Sequence, residues 1–335
     1  MEQASLRVPV TEPGQVGEAR QAASAMAMAA GFGEEDRARV AVVATEAAAN
    51  VLRHAGGGEL VLRPVERGGA AAVEVMALDR GPGIADADAA GVTAERSVAP
   101  DAPLTGLGAI ARLSERFDLY SAPGQGTALI ARVWARTPPP APIDIGAVSL
   151  PRGREPRSGD AWSIAHRGDV TLFMVADGVG HGPLAAAAAA EAARIFHGQA
   201  RRTPREIIEV AHAALRSTRG ASMAVALVIP GEGVVRFAGI GSVGGAIFDG
   251  QQSRPLATHN GIVGHELRRV HEEVYPLPHE GVLILHSGGI AAQSRIDDYP
   301  GLASRDPSLI AGVMYRDFGR NREDVTVVVA RLAGL

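Results

Sequence analysis

The sequence predicts an α+β chain of two domains in tandem. Four of the six residues from Thr137 to Pro142 are proline, a composition that neither a helix interior nor a central strand accepts, so this stretch reads as an extended linker. On each side lie helical stretches and separate strand-like runs bounded by glycine turns, enough for an independent core in each half. At 335 residues the chain has the length for both. The expected boundaries are residues 1–136, the linker 137–142, and residues 143–335.

Composition narrows the chemistry. With 46% apolar and 21% charged residues the balance is that of a globular protein, and a net charge of −4 gives no reason to expect nucleic acid or an anionic membrane as partner. Glu2, Arg7, Glu12, Glu18 and Arg20 interrupt any apolar leader, and no apolar run reaches membrane-spanning length, so the expected location is the cytoplasm. Cysteine and lysine are both absent. Thiol nucleophiles, thiolate zinc sites, Schiff bases and the lysine of a Walker A loop are thereby excluded.

In the first half, Val40, Val43, Ala44, Ala47 and Val51 recur at helical spacing, which predicts a helix over Arg37–His54 ended by Gly56-Gly57-Gly58. Glu46 and Asn50 stand one turn apart on its polar face, with Arg53 and His54 beyond. Strands are expected at Glu59–Val65 and Ala70–Leu78, joined at Gly68-Gly69. Asp79 ends the second and precedes Arg80-Gly81-Pro82-Gly83, where glycine permits close approach of a ligand to the backbone. Thr105-Gly106-Leu107-Gly108 opens a helix through Ile110 and Leu113 whose amides suit an anion. Strands Arg116–Ser121 and Thr127–Arg136 close the half around Pro123-Gly124-Gln125-Gly126.

The ordered set Glu-x-x-x-Asn on a helix, Asp-x-Gly-x-Gly after a strand, Gly-x-Gly before a helix and Gly-x-Gly-Thr before a last strand resembles the GHKL (Bergerat) ATP-binding fold. Within it, the layout is similar to the RsbT-like switch serine kinases. The resemblance spans residues 5–136 and implies an α/β sandwich that binds ATP with Mg²⁺. It implies that Asp79 accepts from the adenine amino group, Asn50 ligates Mg²⁺, Glu46 is the general base, and Gly81, Gly83, Gly106, Gly108, Gly126 and Thr127 line the nucleotide. About forty-five residues precede Glu46, too few for the dimerising helices of a sensor histidine kinase.

In the second half, a strand-like segment opens at Ser158-Gly159-Asp160-Ala161-Trp162, and the apolar run Val170–Ala176 delivers Asp177-Gly178-Val179-Gly180-His181-Gly182. Helices follow at Pro183–His197 and Pro204–Thr218, then strands at Ser222–Ile229, Val234–Ile240, Gly244–Phe248 and Val282–Ser287, a helix at Pro307–Phe318 and a strand at Val325–Arg331 behind Asp324. This pattern is similar to the type 2C metal-dependent phosphatases, in particular their SpoIIE and RsbX group. The resemblance implies an α-β-β-α sandwich in which Asp177, the Gly178 carbonyl and Asp324 hold Mg²⁺ or Mn²⁺ and Asp160 orients the attacking water. His181 is expected to support the metal residues, if it has a role there. One departure stands out: where the family has Ser-Asp-Gly, this chain has Ser287-Gly288-Gly289, so a metal carboxylate is missing, with Asp297 or Asp298 as its nearest substitutes in sequence.

Together the resemblances imply a bifunctional regulator of a partner-switching pathway that controls a sigma factor or similar output. It would phosphorylate a STAS-domain protein on serine or threonine with ATP, and dephosphorylate a phosphoserine protein with a metal. The alternative is a non-catalytic, ATP-responsive scaffold that binds a STAS-domain protein or another regulator.

Overall fold

The computed structural model describes residues 5–84, 106–153, 155–291, 293–320 and 322–332. It separates into two compact units, Ser5–Ala141 with Ser304–Arg316, and Pro142–Ala303 with Asp317–Leu335. Among the described residues no helix is long and apolar enough to cross a membrane.

The first unit is built on one antiparallel sheet. Its strands β1 (Leu6–Val10), β2 (Gly58–Arg67), β3 (Ala70–Asp79), β4 (Arg116–Ser121) and β5 (Thr127–Trp134) run in the order β1-β2-β3-β5-β4. Helices α1 (Pro13–Ala29), α2 (Glu34–Asn50) and α3 (Leu107–Leu113) belong to the same unit. Val73, Val75 and Ala77 of β3 share a core with Ala19, Ala23 and Ala27 of α1 and Val40, Val43, Ala44 and Ala47 of α2. Glu34, Glu35 and Asp36 fill the first turn of α2, where negative charge complements the helix dipole, and the helix runs on into a single π turn, Val51–Ala55, closed by left-handed Gly56. β1 and α1 have no counterpart in the sequence reading: alanine lines the buried face of α1 and contrasts too little with its neighbours to mark a period.

Because side chains alternate along a strand, the other face of β3 carries Ala72, Glu74, Met76 and Leu78, and these too are buried. Against that face lies the helix Pro307–Phe318, whose Gly312 is so close that a Cβ there would stand 2.4 Å from Met76 Sδ. Arg63 and Arg132 grip Glu74 from β2 and β5, and Ser308 Oγ donates to Glu74 Oε2 at 2.8 Å. The sequence reading places this helix in the second half. Its contacts instead put Ser304–Arg316 in the first unit, because buried charges on the sheet need the partners it brings.

The second unit stacks two antiparallel sheets. Its strands in chain order are β6 (Ile145–Leu150), β7 (Asp160–Arg167), β8 (Val170–Gly178), β9 (Ala221–Ile229), β10 (Val234–Ile240), β11 (Gly244–Phe248), β12 (Ser253–Pro255), β13 (Glu273–Pro276), β14 (Val282–His286) and β15 (Val325–Arg331). One sheet has the order β13-β10-β9-β8-β7 and the other β12-β11-β14-β15-β6. Trp162, Phe173, Phe237, Leu285 and Val328 pack in the core that both share. On the first sheet, α4 (Pro183–Gly198) and α5 (Pro204–Ala214) bury Ala188, Ala192, Phe196, Ile207 and Ile208. Helix α6 (Pro307–Phe318) lies between β14 and β15 in sequence. In the proline stretch no residue is helical or in a strand. Pro139 seats against the β2–β3 turn, where a Cβ on Gly68 would come within 2.3 Å of its ring.

Candidate functional site

The first unit gathers polar groups where α2, the end of β3 and the start of β5 meet. The Asp79 carboxylate accepts through Oδ1 from the amides of Gly81 at 2.8 Å and Thr127 at 3.0 Å, while Oδ2 has no donor among the described residues. Gly126 is left-handed at φ +72°, and a Cβ on it would collide with the Asp79 carbonyl at 2.2 Å. Only glycine lets the two turns close around Asp79. Gly83, on the neighbouring turn, would carry a Cβ 2.1 Å from the Ala122 carbonyl.

On α2, Glu46 accepts the Gly106 amide through Oε2 at 2.9 Å, tying the helix to the turn that enters α3. Asn50 is the last residue before the π turn, a distortion that helices use at functional positions. Its Nδ2 is buried and has no hydrogen-bond partner among the described residues, which makes Asn50 available to a ligand. Gly108 lies in the first turn of α3. Thr105 falls outside the described residues. Arg53 and His54 are exposed. Arg80, which the sequence leaves unassigned, donates to the carbonyl of Arg316.

The second unit concentrates acid. Asp160 and Asp177 are cross-strand partners on β7 and β8, and Asp324 comes close enough that a Cβ on Gly159 would meet its Oδ2 at 2.7 Å. Burial pushes the Asp160 carboxyl well above its usual range, with the nearby charges of Asp177 and Asp324 adding to it. Asp177 is also raised, chiefly by burial, against the pull of the Gly288 amide and the Ser242 hydroxyl. Among the described residues, both carboxylate oxygens of Asp160 are buried without a hydrogen bond of normal geometry. Such a cluster of hard oxygen donors suits a divalent cation that keeps part of its water. It is an open set: among the described residues no three acidic or histidine side chains close around a single metal position.

Gly288 carries no side chain into this cluster. Its amide donates to Asp177 Oδ2 at 3.2 Å, and Ser242 Oγ donates to the same oxygen at 3.2 Å. Ser242 is held in turn by Ser222, the cross-strand neighbour of Asp177. Asp297 accepts from the Ser253 amide at 2.8 Å and Asp298 is exposed, so each is otherwise placed. His181, expected beside the metal residues, pairs instead with Glu155 at 2.8 Å and is 57% exposed. The sequence reading missed Ser242, Ser222 and Arg316, since a lone serine or arginine far along the chain carries no motif.

Comparison with known proteins separates the two halves. Residues 10–133 match the histidine kinase-like ATPase domain family, and residues 167–333 match the stage II sporulation protein E (SpoIIE) family. The serine/threonine-protein kinase RsbT of Bacillus subtilis (strain 168) is 36% identical over 124 residues, which are 35% of this chain and 87% of that protein. A chain solved in work on the bacterial stressosome, a modular system adapted to control secondary messenger signaling, superposes with a TM-score of 0.54. It is 25% identical, over 56% of this chain and 99% of its own. RsbX in complex with magnesium superposes with a TM-score of 0.51 at 17% identity, over 56% of this chain and 94% of its own, which shows a shared fold.

Proposed function

Because this chain belongs to the RsbT-like kinases of the histidine kinase-like ATPase family through its first half and to the SpoIIE phosphatase family through its second, we propose that it is a bifunctional regulator of a partner-switching pathway. The first unit phosphorylates serine or threonine of a STAS-domain protein with ATP and Mg²⁺. The second removes phosphate from a phosphoserine protein with Mg²⁺ or Mn²⁺. The observation that carries the kinase reading is the state of Asp79: two backbone amides saturate Oδ1 and leave Oδ2 for the amino group of an adenine.

In this reading Asn50, whose amide nitrogen has no partner among the described residues, offers its side-chain oxygen to Mg²⁺. The Gly106 amide, now bound by Glu46, passes to the phosphates together with the Gly108 backbone, and the freed Glu46 takes the proton of the substrate hydroxyl. Gly81, Gly83, Gly126 and Thr127 shape the adenine side. In the second unit Asp177, the Gly178 carbonyl and Asp324 would hold the metal, and Asp160 would orient the water. When bound, the metal lowers the pKa of that water and draws charge from the phosphoryl oxygens.

Asp79→Asn tests the adenine assignment. The amide nitrogen would face the adenine amino group donor to donor, so nucleotide affinity should fall roughly 10- to 150-fold, the worth of a hydrogen bond to a charged group. Titration with a fluorescent ADP reads this, and unchanged affinity would refute the role of Asp79. Incubating the native chain with ATP, Mg²⁺ and a STAS-domain protein, followed by mass spectrometry, tests the whole reading. Its expected result is one phosphate on the STAS protein, removed again when Mn²⁺ is supplied and ATP withdrawn.

Gly288 favours a second reading for the phosphatase half, in which it binds a phosphoprotein but turns it over slowly. Gly288→Asp should raise Mn²⁺ affinity and activity at low metal. A Cβ at this position meets Asp177 Oδ2 at 2.9 Å and Ser242 Oγ at 3.0 Å, and the new charge joins carboxyls already strained by burial, so the metal-free variant should melt below the native chain and gain more from added Mn²⁺. Native activity equal to that of the variant at low Mn²⁺ would show that Gly288 is no defect.

A further inference from the structure

We propose that Arg316 is a positioning residue of the nucleotide site, and that through it nucleotide occupancy orders the segment leading to Asp324. The proposal rests on the ATP-binding role given above to Asp79. Arg316 is near the end of α6, only 7% exposed, and its Nη1 donates to the Asp79 carbonyl at 3.0 Å. Arg80 returns a bond, from its Nη2 to the Arg316 carbonyl. The turn that carries the adenine carboxylate therefore grips the end of α6 by side chain and backbone together.

The start of α6 is fixed to the same sheet. Asp306 accepts the Ser308 amide at 2.9 Å and Arg116 Nε at 2.6 Å, its own amide donates to Asp118 at 2.7 Å, and Ser308 Oγ reaches Glu74. A helix held at both ends moves with its sheet. Among the described residues the Asp79 carboxylate is bonded through Oδ1 alone; an adenine on Oδ2 would restrain its whole turn, and with it Arg316.

Past Arg316 the chain needs eight residues to reach Asp324. Within the second unit, the Phe318 carbonyl accepts from the Ala291 amide at 2.9 Å and the Arg320 amide donates to the Gly289 carbonyl at 2.8 Å. Gly288, one residue away, donates to Asp177. The chain past Arg316 is thus tethered to it at one end and bonded to the Gly288–Ala291 stretch at Phe318 and Arg320, and it continues to Asp324, an acidic residue of the cluster. Order imposed on Asp79 has a covalent and hydrogen-bonded route to Asp324. Any such coupling is reciprocal, so ligands of the acidic cluster would tighten nucleotide binding by the same factor.

The test is amide hydrogen exchange of the full chain, free of divalent metal, with and without saturating ADP, beside titration with a fluorescent ADP. In the native chain ADP should slow exchange at residues 79–84 and 106–110, and also at 318–326 by roughly fivefold or more. Arg316→Met should weaken ADP binding and abolish the protection at 318–326 while leaving that at 106–110 once the site is saturated. Arg316→Lys, still able to donate to the Asp79 carbonyl, should recover part of both. Arg80→Ala, at an exposed side chain that donates to the Arg316 carbonyl, should reduce protection at 318–326 in the same direction. Protection confined to the nucleotide loops of the native chain, or protection at 318–326 that survives Arg316→Met, would overturn the proposal. Absence of any ADP binding is a different result: it removes the ATP reading and this inference with it.

Discussion

Glu74→Ala should destabilise the first unit by about 3–5 kcal/mol, the cost of leaving buried charge without its partner. Glu74 is 1% exposed and binds Arg63 through Oε1 and Arg132 through Oε2, with Ser308 as a further donor. Removing the carboxylate takes from two buried guanidinium groups the charge that both of them bind, leaving Arg132 with Asp306 at 3.8 Å. Replacing all three ionic side chains together, as Arg63→Leu, Glu74→Met and Arg132→Leu, should cost far less, because the desolvation of three charges is recovered along with their attraction. Trp134 and Trp162 are the two tryptophans, so in a Trp162→Phe background the fluorescence of Trp134 reports urea unfolding of the first unit. A midpoint for Glu74→Ala equal to that of the background would show that the cluster contributes nothing.

The same cluster sets an acid limit. Burial alone would raise the Glu74 carboxyl, but Arg63 and Arg132 override it and hold it at about 2, below the ordinary 4.5. Acid therefore protonates the unfolded chain first. The stabilisation is complete above pH 4.5 and drains away as pH falls from there toward about 2. Urea midpoints across that window should fall more steeply for the native unit than for the triple apolar variant.

Glu46→Gln should lower the rate of phosphoryl transfer by about 10²–10⁴-fold, the usual contribution of a general base, with little change in nucleotide affinity. Glutamine is the informative substitution because its carbonyl still accepts the Gly106 amide that Glu46 holds at 2.9 Å, whereas it cannot take a proton. Alanine removes both functions. Single-turnover transfer to a STAS-domain protein, set beside titration with fluorescent ADP, separates them. Full transfer by Glu46→Gln would mean that another group, or none, receives the proton.

Much of this molecule was legible in its residue order. Short-range spacing determines which residues share a helix face or follow a strand, so Glu46 with Asn50, Asp79 before its glycines, and Asp177 after an apolar run stood out before any fold was known. Gly126 and Gly83 were recognisable as glycines in turns. That they must be glycine became clear only from the carbonyls of Asp79 and Ala122 against which they lie.

What the linear pattern left open is what depends on pairs far apart in sequence. The partner of Glu46 is Gly106, 60 residues away, and the hydroxyl on Asp177 belongs to Ser242, 65 residues away. The grouping of Ser304–Arg316 with the first unit is of the same kind. Periodicity shows that Pro307–Phe318 is a helix and says nothing of which sheet covers it, since an apolar helix face suits any apolar sheet. That choice was made by the charges buried on β2, β3 and β5, which are costly without partners and find further ones in Ser308 and Asp306. Local order determined the elements and the composition of each cluster; tertiary structure alone decided that a helix encoded shortly before Asp324 would belong to the first unit and hold the turn that follows Asp79.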